Sequence, residues 1–328
     1  MTRAAAVRAG PPIVSAFSYR AWGYSLALIG VVTFSVRPIL IKLAYAYVSD
    51  PVTLIALRMV FSLPFFLAAV FWLQVRARRR DPSARSVSAQ APLTRRDWVA
   101  VLFLGFLGYY LASFLDFIGL QYIAAGLGRL VLFLYPTITL LLSAVFLGKY
   151  VSRRDIAALV VCYAGLALVL SQGLGGANRN LALGAMLVFG SALCYAGYLV
   201  SGSQVVARIG SMRFSAYATS VACLLCILQF LLLRPLAALQ LPLPVYGLAL
   251  AMGVGCTVLP VFVTSEALRR IGANHVAIIG AAGPVTTVFL GWLGLEEKFT
   301  LPQIAGAILV LAGVLFISVA PAGAIGKR

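Results

Sequence analysis

Acidic side chains and histidine are scarce in this sequence. Its 328 residues include eight Asp and Glu and one His. No HExxH zinc motif, no GxxxxGK(S/T) phosphate loop and no paired Asp-rich motif is present. No serine nucleophile can be assigned to accompany His275, as an intramembrane protease would require. These absences argue against an enzyme, and the missing phosphate loop argues against ATP hydrolysis by this chain.

Long apolar runs dominate what is present. Hydrophobic residues make up 62% of the chain, charged residues 10%, and the mean hydropathy is +1.02. Runs of about 20 apolar residues, enough to cross a bilayer as a helix, recur between short polar breaks. We number them span 1 to span 10, at residues 22–42, 53–74, 98–118, 124–146, 154–172, 181–203, 213–233, 244–267, 274–294 and 301–319. Continuous runs exclude a β-barrel, whose strands alternate, so the sequence predicts an all-α polytopic membrane protein.

The basic residues predict an orientation. The net charge is +18, and 19 of the 26 Lys and Arg residues lie in the tails and in alternate loops, above all in the loop at 75–97. By the positive-inside rule, both termini are cytoplasmic and the protein lies in the cell membrane. This distribution also explains the positive charge without nucleic acid as a partner.

One segment of the chain occurs twice. A shift of 148 positions aligns residues 116–170 with 264–318 without a gap, with 11 of 55 positions identical. Pro136 meets Pro284 in this alignment. Because each half contains five spans, an odd number, the second half crosses the membrane in the opposite sense. The sequence therefore predicts two inverted five-helix repeats, an architecture typical of secondary transporters.

The predicted organisation has four parts. They are a cytoplasmic N-terminal tail at 1–21, a first repeat at 22–172, a second repeat at 181–319 and a cytoplasmic C-terminal tail at 320–328.

Motifs in both halves resemble a known family. Spans 1 and 2 include FSVRPILIKLAYAYVSDPVTLIALRMVFSLPFFL, and the turns before the last span of each half read FLGKYVS and GLEEKFT. These features resemble the EamA-type branch of the drug/metabolite transporter superfamily. The resemblance implies ten helices in two EamA-like repeats and export of small metabolites, such as amino acids or related compounds. The family usually has a Glu in each of these turns. Glu297 matches it, whereas Lys149 stands at the equivalent position of the first half, as suits a cytoplasmic loop.

Prolines and glycines indicate places where the helices bend. Pro136 and Pro284 each remove an intrahelical hydrogen bond near the middle of spans 4 and 9. Two interpretations remain open, a static packing kink and a pair of hinges for alternating access. Gly283, next to Pro284, allows a neighbour or a ligand to approach the backbone closely.

Four ionisable residues share one depth in the first half. Arg37, Arg58, Asp116 and Arg129 are expected about 7–12 Å from the membrane centre, on the outer side. One interpretation is an Asp116–arginine network that stabilises the repeat. The other is that three arginines against one aspartate leave positive charge for a substrate carboxylate or phosphate. Arg129 is the best candidate because its repeat equivalent is Ala277, whereas Arg58 is expected to be structural.

The sequence thus predicts a secondary transporter that exports small metabolites by alternating access. The expected substrate-binding residues are Arg129, Arg37, Asp116, Tyr135, Tyr195 and Gly283. The two tyrosines have a second interpretation as packing residues, which also applies to Phe34 and Tyr109. The expected partners are a small-molecule substrate, the lipid bilayer and a coupling ion; no cofactor or metal is expected. The alternatives are a non-transporting membrane receptor or accessory protein and, with less support, an intramembrane enzyme.

Overall fold

The structure is a computed structural model that describes residues 13–79, 93–148, 151–174 and 179–318. Lys149, residues 1–12 of the predicted N-terminal tail, most of the predicted loop 75–97 and the predicted C-terminal tail 320–328 lie outside the described residues. Residues 13–21 of that N-terminal tail are helical, because the first helix begins at Ile13. All regular elements within the described ranges are helical, which confirms the all-α prediction.

Ten apolar spans follow one another along the described chain. Spans 1, 2, 5, 6, 7 and 10 are continuous helices with the bounds Ile13–Tyr45, Pro51–Arg79, Arg153–Leu174, Arg179–Ile209, Ser211–Leu233 and Leu301–Ser318. A short 3-10 helix, Leu236–Leu239, lies between spans 7 and 8. Among the described residues, nine spans are long and apolar enough to cross a bilayer, and the tenth, Leu301–Phe316, is a shorter apolar helix. This is the polytopic membrane fold that the sequence predicts.

Helical structure extends into both ends of the basic loop 75–97. Span 2 continues to Arg79, because arginine is a good helix former even where the apolar run has ended. Span 3 begins at Arg95 with a capping box, in which the Thr94 and Asp97 side chains each accept a hydrogen bond from the other residue's backbone N–H.

Spans 3 and 8 each contain a π-helical segment. Span 3 consists of Arg95–Gly105, the π-helix Phe106–Leu111 and Ala112–Tyr122. Span 8 runs through Leu243–Leu250, the π-helix Ala251–Val258 and a helix that starts at Leu259. Adding the repeat distance of 148 to 106–111 gives 254–259, which overlaps the π-helix of span 8. The two π segments therefore lie at nearly equivalent positions of the two halves. Such segments are frequent at functional sites, and their recurrence indicates that they belong to the repeated fold.

Spans 4 and 9 are interrupted at equivalent positions. Span 4 comprises Ala125–Leu132 and Tyr135–Leu147, with a turn at 133–134 between them. Span 9 starts after Gly272, whose φ of 80° breaks the helix Leu259–Gly280, and after a turn at residue 281 it continues as Ala282–Leu295. Each interruption lies just before the proline predicted to bend that span.

The repeated segment builds the same turn and cap in both halves. Before span 5, Ser152 and Asp155 form a capping box; before span 10, the Thr300 N–H donates to Gln303 at 3.0 Å. The preceding C-caps have left-handed backbone at equivalent positions, in Gly148 with φ 62° and in Glu296 with φ 54°. The shared residue types therefore encode a shared helix–turn–helix.

Spans 5 and 10 pack directly against each other. The Cys162 thiol lies 3.6 Å from the Val310 carbonyl oxygen, and these two residues are 148 positions apart, so they are repeat equivalents. A Cβ on Gly165 would lie 2.7 Å from the Gly306 oxygen, and a Cβ on Gly313 would lie 2.9 Å from the Ala158 oxygen. These two contacts are exchanged by the repeat shift. A pseudo-two-fold axis therefore passes between Cys162 and Val310.

The same symmetry relates the other helix pairs. Span 1 packs on span 8, and their repeat equivalents, spans 6 and 3, also pack on each other. Span 2 packs on its own repeat equivalent, span 7. Spans 1, 4, 6 and 9 meet in the middle of the bundle, with span 3 beside them. This arrangement brings the predicted charged layer of the first half against both halves of the protein.

Candidate functional site

Arg37 and Asp116 form the ion pair of the charged layer. The Arg37 Nη2 donates to Asp116 Oδ2 at 2.8 Å, and the two side chains are 11% and 4% exposed. A buried carboxylate needs such a partner because it has left water. The negative charge of Asp116 is therefore matched by Arg37, which joins span 3 to span 1.

Arg58 is enclosed in the apolar core of span 2. It is 1% exposed, its Nη2 donates to the Ser113 hydroxyl at 3.2 Å, and its guanidinium lies 4.9 Å from the centre of the Phe117 ring. Its Nη2 also lies 3.9 Å from the Met59 sulfur. Its Nε and Nη1 have no hydrogen-bond partner, as is also the case for Arg129. Arg58 differs in that its Nη2 is bound to Ser113, which agrees with the structural role expected from the sequence.

Arg129 has no carboxylate partner among the described residues. It is 6% exposed, and its Nε and Nη1 have no hydrogen-bond partner. Its guanidinium lies 4.2 Å from the centre of the Phe34 ring, and the Arg37 guanidinium lies 4.8 Å from the same centre. Two cations therefore share one ring, and Asp116 pairs with one of them.

Gly283 faces the same place from span 9. A Cβ on Gly283 would lie 3.8 Å from Arg129 Nη2 and 3.4 Å from the Ser35 hydroxyl. That hydroxyl donates to the Gly283 carbonyl at 3.1 Å, and Thr287 donates to the Ser35 carbonyl at 3.0 Å. Ser35 and Thr287 thus hold spans 1 and 9 together beside the arginine. Sequence reasoning missed both, since a hydroxyl in an apolar helix carries no sign of its partner.

Tyr135 and Tyr195 form an aromatic wall next to Arg129. Their ring centres are 5.1 Å apart in an edge-to-face arrangement, and both lie close enough to interact with the arginine charge. Tyr198 stacks on Tyr195 at 5.8 Å and contacts Tyr109 edge-to-face at 5.2 Å. Tyr135 and Tyr195 are half-buried although they belong to the middle of their spans. The structure thus brings the two predicted tyrosines together with Arg129 and Gly283.

The arrangement as a whole has a cationic end and an aromatic side. Arg129 can donate two hydrogen bonds in its fork geometry, which matches a carboxylate or a phosphate. The tyrosine rings offer apolar faces and hydroxyls next to it. Such a site can bind a small molecule that carries an anionic group and an apolar part.

A second ion pair lies outside the membrane spans. Arg234, after span 7, donates from Nε and Nη2 to both carboxylate oxygens of Asp50 at 2.9 Å. Partial burial raises the pKa of Asp50, but hydrogen bonds from Arg234 and Thr53 outweigh it and hold the pKa below its usual value. This pair connects a loop of the first half to a loop of the second.

Comparisons with known proteins agree with this architecture. The model of the EamA-like transporter family matches residues 21–171 and 182–319. The uncharacterized transporter YcbK of Bacillus subtilis (strain 168) is 33% identical over 306 residues, covering 90% of this chain and 91% of the relative. The pseudopaline exporter CntI of Pseudomonas aeruginosa (strain UCBPP-PA14) is 28% identical over 301 residues, covering 90% and 95%. A solved crystal structure with 18% identity aligns with a TM-score of 0.60 over 90% of this chain and 96% of that one, which shows a shared fold.

These relatives are named as transporters or exporters, so the prediction that the chain is not an enzyme is confirmed. The helical fold, the two matched halves and the relative at 33% identity lead to one conclusion. The chain is a multi-pass membrane transporter that belongs to the EamA-like transporter family.

Proposed function

We propose that this transporter exports small carboxylate-bearing metabolites, such as amino acids or related compounds, by alternating access. It would load its substrate from the cytoplasm and release it outside the cell membrane, with both termini cytoplasmic. The relative CntI is named a pseudopaline exporter, which supports export of a small molecule. The basic residues in alternate loops support the orientation.

The unpaired charge of Arg129 carries the proposal. An ionised side chain inside the bilayer is unfavourable unless it pairs with another group or reaches water. Arg37 has Asp116 at 2.8 Å and Arg58 donates to the Ser113 hydroxyl at 3.2 Å, whereas Arg129 has the Phe34 ring at 4.2 Å and no hydrogen bond to a described residue. A substrate carboxylate would supply the negative charge that Arg129 lacks and accept hydrogen bonds from its guanidinium. The site is therefore complementary to an anionic group.

The aromatic wall supports a substrate with an apolar part. The rings of Tyr135 and Tyr195 contact each other beside the cationic end. An amino acid placed with its carboxylate on Arg129 would have its side chain against these rings. The glycine at position 283 leaves the facing side of span 9 free of a side chain.

The paired helix interruptions support alternating access. The turns at 133–134 and at 281 lie at equivalent points of spans 4 and 9, which both border the proposed site. An interrupted helix can change its angle without breaking a continuous hydrogen-bond ladder. Pro136 and Pro284, which follow these turns, are the proposed hinge residues.

A substrate series in proteoliposomes tests the carboxylate requirement. Labelled leucine, leucine methyl ester and isopentylamine share one apolar group and differ in the carboxylate; glutamate adds a second carboxylate. We expect that only compounds with a free carboxylate exchange across the vesicle wall, or compete with a compound that does. Transport of the ester or the amine at the rate of the acid would contradict the proposal.

A further inference from the structure

We infer that Glu297 is a latch that holds the outer ends of spans 4 and 9 together, and that transport requires its release. The inference rests on the alternating access proposed above, but not on the identity of the substrate. Glu297 lies in the turn after span 9, at the end of the bundle proposed to face outside.

The Glu297 carboxylate binds the first turn of span 4. Its Oε1 accepts from the Ala125 N–H at 2.6 Å, and its Oε2 accepts from the Gly126 N–H at 3.1 Å. These N–H groups begin the helix Ala125–Leu132 and have no partner within it. The positive end of the helix dipole further favours a carboxylate there. The two bonds therefore join an element of the first half to one of the second.

Two glycines leave room for the Glu297 carboxylate and the neighbouring Phe299 ring. A Cβ on Gly291 would lie 2.7 Å from Glu297 Oε2, and a Cβ on Gly126 would lie 2.6 Å from the Phe299 ring. The Glu297 N–H also donates to the Gly291 carbonyl at 3.2 Å, which fixes the residue to the end of span 9. Lys42, at the end of span 1, adds a favourable electrostatic interaction with the carboxylate. The contact thus depends on small residues on both sides of it.

The latch acts on the segment that carries Arg129. Arg129 follows Ala125 by four residues in the same short helix, which ends at Leu132 before the turn at 133–134. While the carboxylate is bound, this helix is tied at its first turn to span 9. Release would leave the helix free to tilt at the turn and would open the outer side of the proposed site.

The first half has no carboxylate at the position equivalent to Glu297. The equivalent of Glu297 is Lys149, and the equivalent of Ala125 is Ala273. A lysine ammonium has donors and no acceptor, so it cannot receive the N–H groups of a helix start. Lys149 itself lies outside the described residues. From its chemistry we expect the resting transporter to favour the form that is closed outside, which suits loading from the cytoplasm.

Labelling of a single cysteine tests the latch without any substrate. Val288 is half-buried and packs beside Gly126 and Phe299, below the latch. A Val288→Cys variant, with the five native cysteines replaced, is reacted from outside with a membrane-impermeant maleimide. Glu297→Ala should raise the labelling rate about tenfold or more, because two charge-assisted bonds are lost. Glu297→Gln, which retains one acceptor oxygen, should raise it less.

Two further variants complete the experiment. Gly291→Ala leaves the carboxylate in the chain but fills its place, so it should also raise the labelling rate, and it decides the question if Glu297→Ala does not fold. Glu296→Gln is the matched control, since Glu296 is the neighbouring carboxylate at the same helix end and its side chain is exposed.

An unchanged labelling rate in Glu297→Ala and Gly291→Ala would overturn the latch. An equal rise in Glu296→Gln would overturn it too, because loop charge alone would then explain the effect. The labelling assay uses no substrate, so neither result tests whether carboxylates are transported. The latch and the proposed substrate class can therefore be refuted independently of each other.

Discussion

Replacing Arg129 by Gln should separate transport from folding. Arg129 contacts the Phe34 ring at 4.2 Å and has no ion pair among the described residues. The lost cation–π contact, worth roughly 0.5–2 kcal/mol, is offset by removing an unpaired charge from the bundle. We therefore expect the free energy of unfolding to change by less than about 1 kcal/mol, a shift of a few degrees in Tm.

The effect on transport should be much larger. Removing one partner of a buried hydrogen-bonded charge pair weakens binding by about 2–5 kcal/mol. At substrate concentrations below KM, transport should fall at least about 30-fold. The measurement is counterflow in proteoliposomes that contain equal amounts of folded protein, together with the thermal shift that a carboxylate substrate induces. Gln at position 129 should abolish that shift.

Arg58 and Arg37 provide the contrast. Arg58→Gln removes the bond to Ser113 and the contact with the Phe117 ring and leaves unfilled space around a side chain that is 1% exposed. We expect these losses to outweigh the removal of a charge that also has no carboxylate partner among the described residues, and to cost about 2 kcal/mol of stability. Gln at position 37 leaves the Asp116 carboxylate buried and unpaired, at about 3–5 kcal/mol. Both should reduce the yield of folded protein. Equal transport by wild type and Arg129→Gln at matched protein amounts would refute the substrate role of Arg129.

Three more predictions concern movement, pH and orientation. Replacing Pro136 or Pro284 by Ala should slow transport several-fold while folded protein stays abundant, because the restored N–H stiffens the interrupted helix; unchanged transport in both would leave them as packing residues. Asp50 has a lowered pKa, so its pair with Arg234 contributes stability above the usual Asp pKa of about 4 and loses it as the pH falls through the folded value. The Tm, measured at pH values from about 7 to about 3, should accordingly change less with pH in Asp50→Asn than in wild type. A single cysteine at Ser86, outside the described residues, should be labelled from the cytoplasm and one at Leu236 from outside; the reverse pattern would invert the proposed topology.

The spans and their repetition follow from the sequence because the bilayer leaves few choices. A run of apolar residues long enough to cross hydrocarbon must be helical to satisfy its backbone groups. The recurrence of Ser152 and Asp155 as Thr300 and Gln303 played no part in the prediction from sequence, although these residue types at this spacing are typical of helix starts. The π segments at Phe106–Leu111 and Ala251–Val258 do not follow, because one extra residue per turn leaves no trace in a uniformly apolar run.

For the site, the sequence singles out the charged residues but not the direction in which their side chains point. Arg37, Arg58 and Arg129 stand out because charges are rare in apolar spans. Which of them meets Asp116 depends on how each helix is rotated about its axis, and helices that are apolar on all sides give no amphipathic pattern to fix that rotation. The partners of Glu297 were equally hidden, because backbone N–H groups are present at nearly every residue.

The contact between spans 5 and 10 limits how the two halves can move. Gly165 packs against the Gly306 carbonyl and Gly313 against the Ala158 carbonyl, so backbone meets backbone at both places and leaves little room to absorb a displacement. Translation along this seam would drive carbonyl oxygens into neighbouring atoms, whereas rotation about the line through Cys162 and Val310 would leave the contact in place. The seam would therefore behave as a pivot: the geometry permits the two repeats to rock but opposes an elevator-like slide of one past the other.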